Sequence, residues 1–231
     1  MKAITTLVLL VSAIVAVNAD QFTVLMEFYK QTNGPKWSKS NWGGSANNVC
    51  NWDGITCGTD GSVTEISLEA NGLGGSLPPS LGSLKSLTVL DLAYNQIGGA
   101  IPESLSNLNN LKILSLGSNR FEGVIPESFG NLTNLQTLDL SKNFKLKGTI
   151  PESFGNFGTL TSFAVGSNML TGAIPPSMGN ITTIQYLDLS NNMFTGSFPD
   201  GWFSLNLVQC NLANNRIQCP IPKSCLGQCV N

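Results

Sequence analysis

Three aspartates at equivalent places in a recurring sequence pattern are the residues of this chain best suited to acid–base chemistry. Each lies between two leucines, as Asp91, Asp139 and Asp188. If they project from alternate strands of one sheet, neighbouring members are roughly 9.6 Å apart. That separation is at the upper limit for the two carboxylates of an inverting glycosidase. An open sheet provides no pocket to raise the pKa of one carboxyl, so we predict that the protein is not an enzyme.

The chain contains no histidine, and this absence excludes several catalytic systems. Ser-His-Asp and Cys-His nucleophiles need an imidazole base, and histidine metal sites are excluded for the same reason. Histidine is also the commonest general base near neutral pH. We therefore expect no metal site and no cofactor.

The aspartates belong to a unit of about 24 residues that occurs seven times. Its strand portion reads Leu-x-x-Leu-x-Leu-x-x-Asn-x-Leu, and successive copies start 24, 24, 24, 25, 24 and 23 residues apart. The copies begin at Val63, Leu87, Leu111, Leu135, Leu160, Ile184 and Leu207. Such self-similarity is the signature of a solenoid, in which stacking of the units creates a continuous core. The sequence therefore predicts a long open surface, which favours binding over catalysis.

Each unit divides into three local structures. The alternating leucines predict a short strand with one face in the core, and successive strands pair in parallel as one inner sheet. A recurrent asparagine follows, from Asn71 to Asn215, whose amide can satisfy the backbone groups of the turning chain. A Gly-x-Ile-Pro type segment then runs extended, and the residues after its proline make a short helical turn on the back.

The side chains that alternate with the leucines face outward and form the candidate binding surface. This surface is polar, and its aromatic members are Tyr94 and Tyr186. Because binding hot spots are usually Trp, Tyr or Arg, we predict a patch around Tyr94 and Lys142 that binds a protein, peptide or glycan. The other candidate ligand-binding residues are Asp91, Asp139, Asp188, Arg120, Lys145 and Lys147. An unspecialised solvated face is the alternative interpretation for each of them.

Basic residues concentrate in two adjacent units, the second of which has one extra residue in its loop. They are Lys112, Arg120, Lys142, Lys145 and Lys147. We hypothesise that they form an anion-attracting edge for an acidic protein or a uronic-acid glycan. A solvated charge cluster is the alternative.

Residues 1–19 have the pattern of a secretory signal peptide. Lys2 precedes an apolar run from Ile4 to Val17, and Ala19 is the expected cleavage point. The run is shorter than the about 20 apolar residues of a membrane span, so we expect an extracellular, secreted protein with no membrane span. Cleavage leaves eleven basic and fourteen acidic residues, a net charge of about −3. Nucleic acid and anionic membranes are excluded as partners, since both require a basic surface.

Six cysteines in an exported chain indicate three disulfides. Cys50 and Cys57 precede the repeats, whereas Cys210, Cys219, Cys225 and Cys229 lie in and after the last one. The segment from Cys219 to Cys225 suggests a small loop closed by its own disulfide. The core-facing slot of Cys210 favours its pairing with Cys229. Four cysteines allow three pairings, and the sequence leaves all three open.

Two N-glycosylation sequons occur at the same place in two units, at the end of the predicted helical turn. Their asparagines are Asn131 and Asn180, each with threonine two residues later. We predict glycans at both, on the convex back, where they leave the inner sheet free.

The units resemble those of plant-type extracellular leucine-rich repeat proteins, whose consensus is LxxLxLxxNxLxGxIPxxLxxLxx. The likeness covers residues 63–222, and the preceding segment resembles that family's N-terminal cap. The parts of this cap are a helix from about Phe22 to Gln31, Trp37, Trp42, Trp52 and the motif from Cys50 to Cys57. The resemblance implies that Cys50 pairs with Cys57 and that the tryptophans pack over the open end of the core.

The implied fold is α/β: a right-handed leucine-rich-repeat solenoid with a parallel concave sheet and disulfide-stapled caps. The expected divisions are a signal peptide (1–19), an N-terminal cap (20–62), repeats one to six (63–206), and the last repeat with the C-terminal cap (207–231). Members of this family bind proteins, peptides or glycans on the concave sheet or its edges. The resemblance therefore implies a secreted, non-catalytic recognition protein.

Two roles within the family fit this description. One is that of polygalacturonase-inhibiting proteins, which block a secreted pectin-degrading enzyme, and the other is that of short receptor-like kinase ectodomains. A structural glycoprotein of the extracellular matrix or cell surface is the alternative from a different class. Saturable one-to-one affinity for a defined partner distinguishes recognition from multivalent retention in the matrix.

Overall fold

The computed structural model describes residues 20–43, 49–205, 207–227 and 229–230. The predicted signal peptide, residues 1–19, lies outside the described residues. Within the described ranges, no helix is both long enough and apolar enough to cross a bilayer. The chain forms a solenoid of stacked coils with two sheets.

The larger sheet lies on the concave side. In the described residues it contains nine strands in the order β1-β2-β3-β5-β7-β9-β11-β13-β14. They are β1 Ile55–Cys57, β2 Val63–Ser67, β3 Val89–Asp91, β5 Ile113–Ser115, β7 Thr137–Asp139, β9 Ser162–Ala164, β11 Tyr186–Asp188, β13 Gln209–Asn211 and β14 Cys225–Leu226. From β2 onward every pair is parallel and in register, with Val89 opposite Ile113 and Ile113 opposite Thr137. The predicted parallel inner sheet is confirmed, and the antiparallel pair of β1 with β2 adds a strand to it.

Leucines from successive strands fill the interior, as the alternation predicts. Leu90, Leu114 and Leu138, at the centres of β3, β5 and β7, are completely buried. Phe129 and Phe154 enter the same core from the back and are also completely buried. Each such side chain contributes about 1.5–3 kcal/mol to the free energy of folding when it leaves water. Burial therefore holds the middle coils together, where the described residues contain no disulfide.

The recurrent asparagines connect neighbouring coils through the backbone. The Asn95 amide donates to the carbonyls of Leu68 at 2.8 Å and Leu92 at 3.0 Å, and its oxygen accepts from the Leu73 N–H at 3.0 Å. Asn119 repeats the arrangement one coil later. These bonds satisfy buried backbone groups that the turning chain would otherwise leave unpaired, so the predicted structural role of the ladder is confirmed.

Short 3-10 turns follow the recurrent prolines and form the back of the solenoid. They comprise Pro79–Ser83, Glu103–Asn107, Glu127–Asn131, Glu152–Asn156, Pro176–Asn180 and Asp200–Trp202. Two further turns, Gly34–Lys36 and Val49–Asn51, belong to the N-terminal region. The preceding proline is extended in each of the six back turns, as Pro126 with ψ 128° shows, and the next residues then begin the turn.

The segments between asparagine and proline form a second sheet, whereas the sequence pattern predicts only an extended chain there. Its order is β12-β10-β8-β6-β4, with β4 Gly98–Ala100, β6 Arg120–Val124, β8 Lys145–Gly148, β10 Met169–Ala173 and β12 Met193–Thr195. Partners here are offset from the 24-residue repeat: Glu122 lies opposite Lys145 and Thr171 opposite Met193. Alternate residues are buried, as Phe121 is between Arg120 and Glu122, so one face of this sheet is open to solvent.

An aromatic cluster closes the N-terminal end of the core. Residues 20–31 form helix α1, and Phe28 from this helix packs against Trp37 and Trp42 with ring centroids 5.7 Å and 5.9 Å away. Trp37, Trp42 and Trp52 are all buried, as predicted. The implied Cys50–Cys57 disulfide is present, with a Cα–Cα distance of 5.6 Å.

The C-terminal disulfides differ from the favoured prediction. Cys210 pairs with Cys225 and Cys219 pairs with Cys229, so the predicted Cys210–Cys229 and Cys219–Cys225 pairings are wrong. The reason is that the tail adds β14 to the concave sheet, which sets Cys225 directly opposite Cys210 on β13. The chain then returns beside the second sheet, where the Cys219 N–H donates to the Val230 carbonyl at 2.9 Å.

Candidate ligand-binding face

The concave sheet presents its outward side chains in straight rows, because equivalent residues of successive strands face each other. Tyr94 and Tyr186 are its large aromatic groups, with 58% and 44% of their surfaces exposed. A shallow hollow of about 230 Å³ lies beside the second tyrosine. It is lined by Ser162, Ala164, Tyr186, Asp188 and Gln209, with backbone from Phe163 and Leu187. Its lining comes from β9, β11 and β13, and β9 contributes the small residues Ser162 and Ala164.

The three aspartates of the concave face are engaged with their own backbone. Asp139 Oδ1 accepts a hydrogen bond from the Ser141 N–H at 2.8 Å, and Asp188 Oδ1 accepts one from the Ser190 N–H at 3.0 Å. Asp91 does the same with Ala93 at 3.1 Å. One oxygen of each carboxylate thus closes the turn after its strand, while the side chain still carries its charge on an open surface. This arrangement suits ligand binding better than acid–base chemistry.

A column of residues beside the concave strands has left-handed backbone conformation, which the repeat pattern does not predict. None of its members is glycine: they are Ala70, Tyr94, Ser118, Lys142, Ser167, Asn191 and Asn214, with φ between 50° and 60°. This conformation is unfavourable for residues with a Cβ. The parallel turns impose it at every repeat, and it directs Tyr94 and Lys142 along the same edge. The asparagines at two of these positions were the available signal, because asparagine tolerates this region.

The predicted basic edge is divided by the fold. Lys112 lies just before β5 and Lys142 just after β7, and the two ends of parallel strands form opposite edges of a sheet. Arg120, Lys145 and Lys147 project from the exposed face of the second sheet instead. Lys142 therefore lies in the same column as Tyr94. Arg120, Lys145 and Lys147 lie on the second sheet and are not part of the concave face.

The two sequon asparagines lie on the back. Asn131 and Asn180 are the last residues of their 3-10 turns, and both are exposed. Their glycosylation remains a prediction.

A solenoid with closed ends, a buried leucine ladder and an open polar sheet defines the chain as a solenoid repeat protein. The model of the leucine-rich repeat region matches residues 66–212, and that of the leucine-rich repeat N-terminal domain matches residues 18–58. The chain belongs to the leucine-rich repeat family and is of the plant extracellular type. Neither matched model is that of an enzyme family.

Known proteins support the assignment to this family and show how much of each chain is similar. The chain is similar to the crystal structure of a plant ice-binding protein, with a TM-score of 0.78, 29% identity, and coverage of 88% of this chain and 66% of that one. It is similar to the plant peptide hormone receptor RGFR1 in complex with RGF2, with a TM-score of 0.63, 35% identity, and coverage of 68% and 26%. A probable inactive leucine-rich repeat receptor-like protein kinase of Arabidopsis thaliana is 41% identical over 68 residues, which are 29% of this chain and 10% of the relative. The chain thus matches only a small part of these two receptor-type proteins.

Proposed function

We propose that this protein is an extracellular, non-catalytic recognition protein that binds an extended peptide or protein segment across its concave sheet. The observation that carries the proposal is that exposed side chains form in-register rows, with Tyr94 in the row that follows the strands and Tyr186 in a row on the strands, beside a hollow. The similarity to RGFR1, whose structure contains the peptide RGF2, supports it. Three disulfides agree with an oxidising environment outside the cell.

The sheet determines how such a ligand is recognised. The strands of the concave sheet from β2 to β13 already pair on both sides, so a ligand that crosses them cannot add itself as a further strand and must be held by side chains. Tyr94 follows β3 and Tyr186 begins β11, four strand spacings away. The tyrosines are therefore at least roughly 19 Å apart, which corresponds to about six or more extended residues. Asp91, Asp139 and Asp188 give this path a negative charge, which favours a ligand with basic groups.

Affinity capture tests the proposal. The full-length protein serves as bait for a peptide fraction of secreted material, and captured peptides are resynthesised and titrated by calorimetry. Tyr94→Ala and Tyr186→Ala are each expected to weaken binding about 30-fold, as loss of a hot spot does. Glu103→Ala, an exposed change on the back, is the matched control and leaves affinity unchanged. Equal affinity in all three variants would refute the concave site.

Ice binding is a second candidate, favoured by the 0.78 TM-score with the plant ice-binding protein over 88% of this chain. The in-register strands of the stacked coils repeat their outward side chains at the regular strand spacing of about 4.8 Å, which is the kind of periodicity that a crystalline surface presents. Thermal hysteresis and inhibition of ice recrystallisation by the purified protein test it directly. Ice growth indistinguishable from that in an equal concentration of albumin rejects this candidate and leaves the peptide-binding proposal intact.

A further inference from the structure

The exposed face of the second sheet has a composition unlike the rest of the molecule. We infer that it is a separate docking surface for a protein segment that carries both acidic and apolar side chains. The surface, called the flank patch below, consists of Arg120, Val124, Lys145, Lys147, Met169 and Met193. It lies on β6, β8, β10 and β12 and shares no residue with the concave row.

The apolar part of the flank patch is well exposed. Val124, Met169 and Met193 have 59%, 48% and 42% of their surfaces open to solvent. Phe144, which immediately precedes β8, is 68% exposed at the rim. The opposite faces of these strands are fully buried through Phe121, Leu146, Leu170 and Phe194, so the core does not need these four exposed groups. Clustered exposed apolar residues mark interaction sites, whereas single ones are ordinary.

The charge of the flank patch opposes that of the chain as a whole. The full sequence has a net charge of −2, yet the described residues of this face place Arg120, Lys145 and Lys147 against one acid, Glu122. Lys145 Nζ lies 3.4 Å from Glu122 Oε2, and Arg120 donates to the Gln96 side-chain oxygen at 2.9 Å. Lys147 has no ion pair among the described residues. Its ammonium is therefore available to a carboxylate from outside.

The register of the second sheet brings these two kinds of side chain together. Val124 is opposite Lys147, and Lys147 is opposite Met169, so a cation stands between two exposed apolar groups in one row. A hollow of about 540 Å³ adjoins this row and is lined by Ala100, Glu122, Gly123, Lys145, Lys147 and Met169. A segment in which acidic and apolar residues alternate matches this spacing.

The mixture distinguishes a protein partner from an acidic glycan. A uronic-acid chain pairs with cations but gains nothing from Met169, Val124 or Met193, whereas an acidic amphipathic segment contacts both kinds of group. The four strands cover roughly 300 Å², well below the about 800 Å² that each partner buries in a stable interface. Docking through this patch alone is therefore transient. Such a weak contact suits a partner that also binds at a second surface, such as the concave face.

A defined peptide tests the inference on the full-length protein. The probe has alternating glutamate and leucine and about twelve residues, enough to cross the patch at ~3.3 Å per residue. We expect the Lys145→Glu/Lys147→Glu double variant to weaken its binding about tenfold, because two attractive exposed pairs become repulsive. Met169→Ser is expected to weaken it about threefold. Binding is measured by surface plasmon resonance, and hydrogen exchange locates protection on β6, β8 and β10.

The controls separate this surface from other sources of binding. Lys112→Glu removes a cation at the far edge of the concave sheet and leaves affinity unchanged, as does Tyr94→Ala. A peptide with lysine in place of glutamate does not bind. Equal binding of both peptides, or unchanged affinity in the double variant, overturns the inference. So does oligogalacturonate binding that depends on the two lysines but not on Met169, since that result identifies a glycan site.

Discussion

The carboxylate of Asp188 lies directly over Gly166, a residue of the preceding repeat. A Cβ at Gly166 would approach Asp188 Oδ2 to 2.7 Å, and one at Gly117 would approach Asp139 Oδ2 to 2.6 Å. The absence of a side chain at these glycines lets each aspartate lie close to the sheet while its other oxygen closes the next turn. Two repeats therefore determine the position of each of these concave charges.

Gly166→Ala is expected to displace Asp188 and to break its hydrogen bond to the Ser190 N–H. The free energy of unfolding should fall by about 1–2 kcal/mol, the value of a charge-assisted hydrogen bond less relaxation. Urea denaturation measures it. Gly158→Ala is the matched control, because a Cβ there meets nothing within 4 Å. In the Asp188→Ala variant, the added Gly166→Ala change should leave the free energy of unfolding almost unaltered. A decrease as large as in the unaltered protein would contradict the proposed contact.

Asn143→Ala should be among the most damaging single changes in the chain. The Asn143 side chain is completely buried, donates to the carbonyls of Leu116 and Leu140 at 3.0 and 3.1 Å, and accepts from the Phe121 N–H at 3.0 Å. Each buried polar group left without a hydrogen-bond partner costs about 1–3 kcal/mol. We therefore expect the free energy of unfolding, measured by urea denaturation, to fall by at least about 3 kcal/mol.

Asn134→Ala provides the comparison for this change. Asn134 also donates to a backbone carbonyl, that of Asn109 at 2.8 Å, but at an exposed site where water replaces the lost partner. Its expected cost is below about 0.5 kcal/mol. Similar losses in the two variants would show that the ladder does not stabilise the core through its buried bonds.

Ser118→Gly is expected to stabilise the protein. Ser118 has φ 55°, a conformation that costs a residue with a Cβ about 1–2 kcal/mol, whereas glycine adopts it freely and loses about 0.5–1 kcal/mol through unfolded-state entropy. A net gain of about 0.5 kcal/mol follows. Ser115→Gly, on β5 with ordinary strand geometry, should instead lose about 0.5–1 kcal/mol. Thermal or urea unfolding measures both changes in the free energy of unfolding. Opposite signs for the two variants confirm the backbone strain at Ser118, and equal losses of stability argue against it.

Peptide mapping of the unreduced protein tests the C-terminal pairing. Trypsin cleaves after Arg216 and Lys223 and chymotrypsin after Leu226, which leaves the four cysteines on separate fragments. Mass spectrometry should find the Cys210 fragment joined to the Cys225 fragment, and the Cys219 fragment joined to the Cys229 fragment. Reduction must release all four. A Cys219–Cys225 linkage would contradict the structure.

Asp60 gives a pH-dependent test in the N-terminal region. Its Oδ1 accepts from the Ser62 hydroxyl at 2.7 Å and from the Ser62 N–H at 3.0 Å. These bonds, the hydroxyl first, lower the pKa of Asp60 below its usual 3.8. A depressed folded-state pKa gives stabilisation that is complete above that usual value and is lost as the pH falls through the folded-state pKa.

Titration of Asp60 by NMR measures the effect. Ser62→Ala should raise the pKa of Asp60 toward 3.8, because the larger of the two hydrogen bonds is lost. Ser204→Ala, a change to a distant exposed hydroxyl, should leave it unaltered. An Asp60 that titrates at 3.8 or above in the unaltered protein would refute the assignment.

The sequence predicted the parts of the fold that depend on strict periodicity. The leucine alternation around Leu90 and Leu114 determined the concave strands, and the recurrent asparagines identified the ladder, because both patterns reflect burial. The second sheet gave no such signal: at most one residue in each short strand, such as Phe121, is buried, and its exposed neighbours vary freely. Its register, with partners such as Glu122 and Lys145, depends on how the coils stack and not on the repeat itself.

The site was predicted less completely for the same reason. Tyr94 and Lys142 were predicted as one patch because they share a column, and their binding role stays a prediction. Lys145 and Lys147 looked like neighbours of that column when only chain order was considered. The fold turns the chain onto another face after Asn143. The C-terminal pairing failed because no sequence pattern announced that Cys225 begins a strand.

The disulfide bonds are confined to the two ends of the solenoid. This distribution has a consequence for how the gene can change. A coil inserted in or removed from the middle meets the same leucines and asparagines on both sides and disturbs no sulfur bridge. Duplication or deletion of whole units can therefore lengthen or shorten the arc while both ends stay sealed, which makes the span of the concave surface a quantity that recombination can alter in steps of one strand.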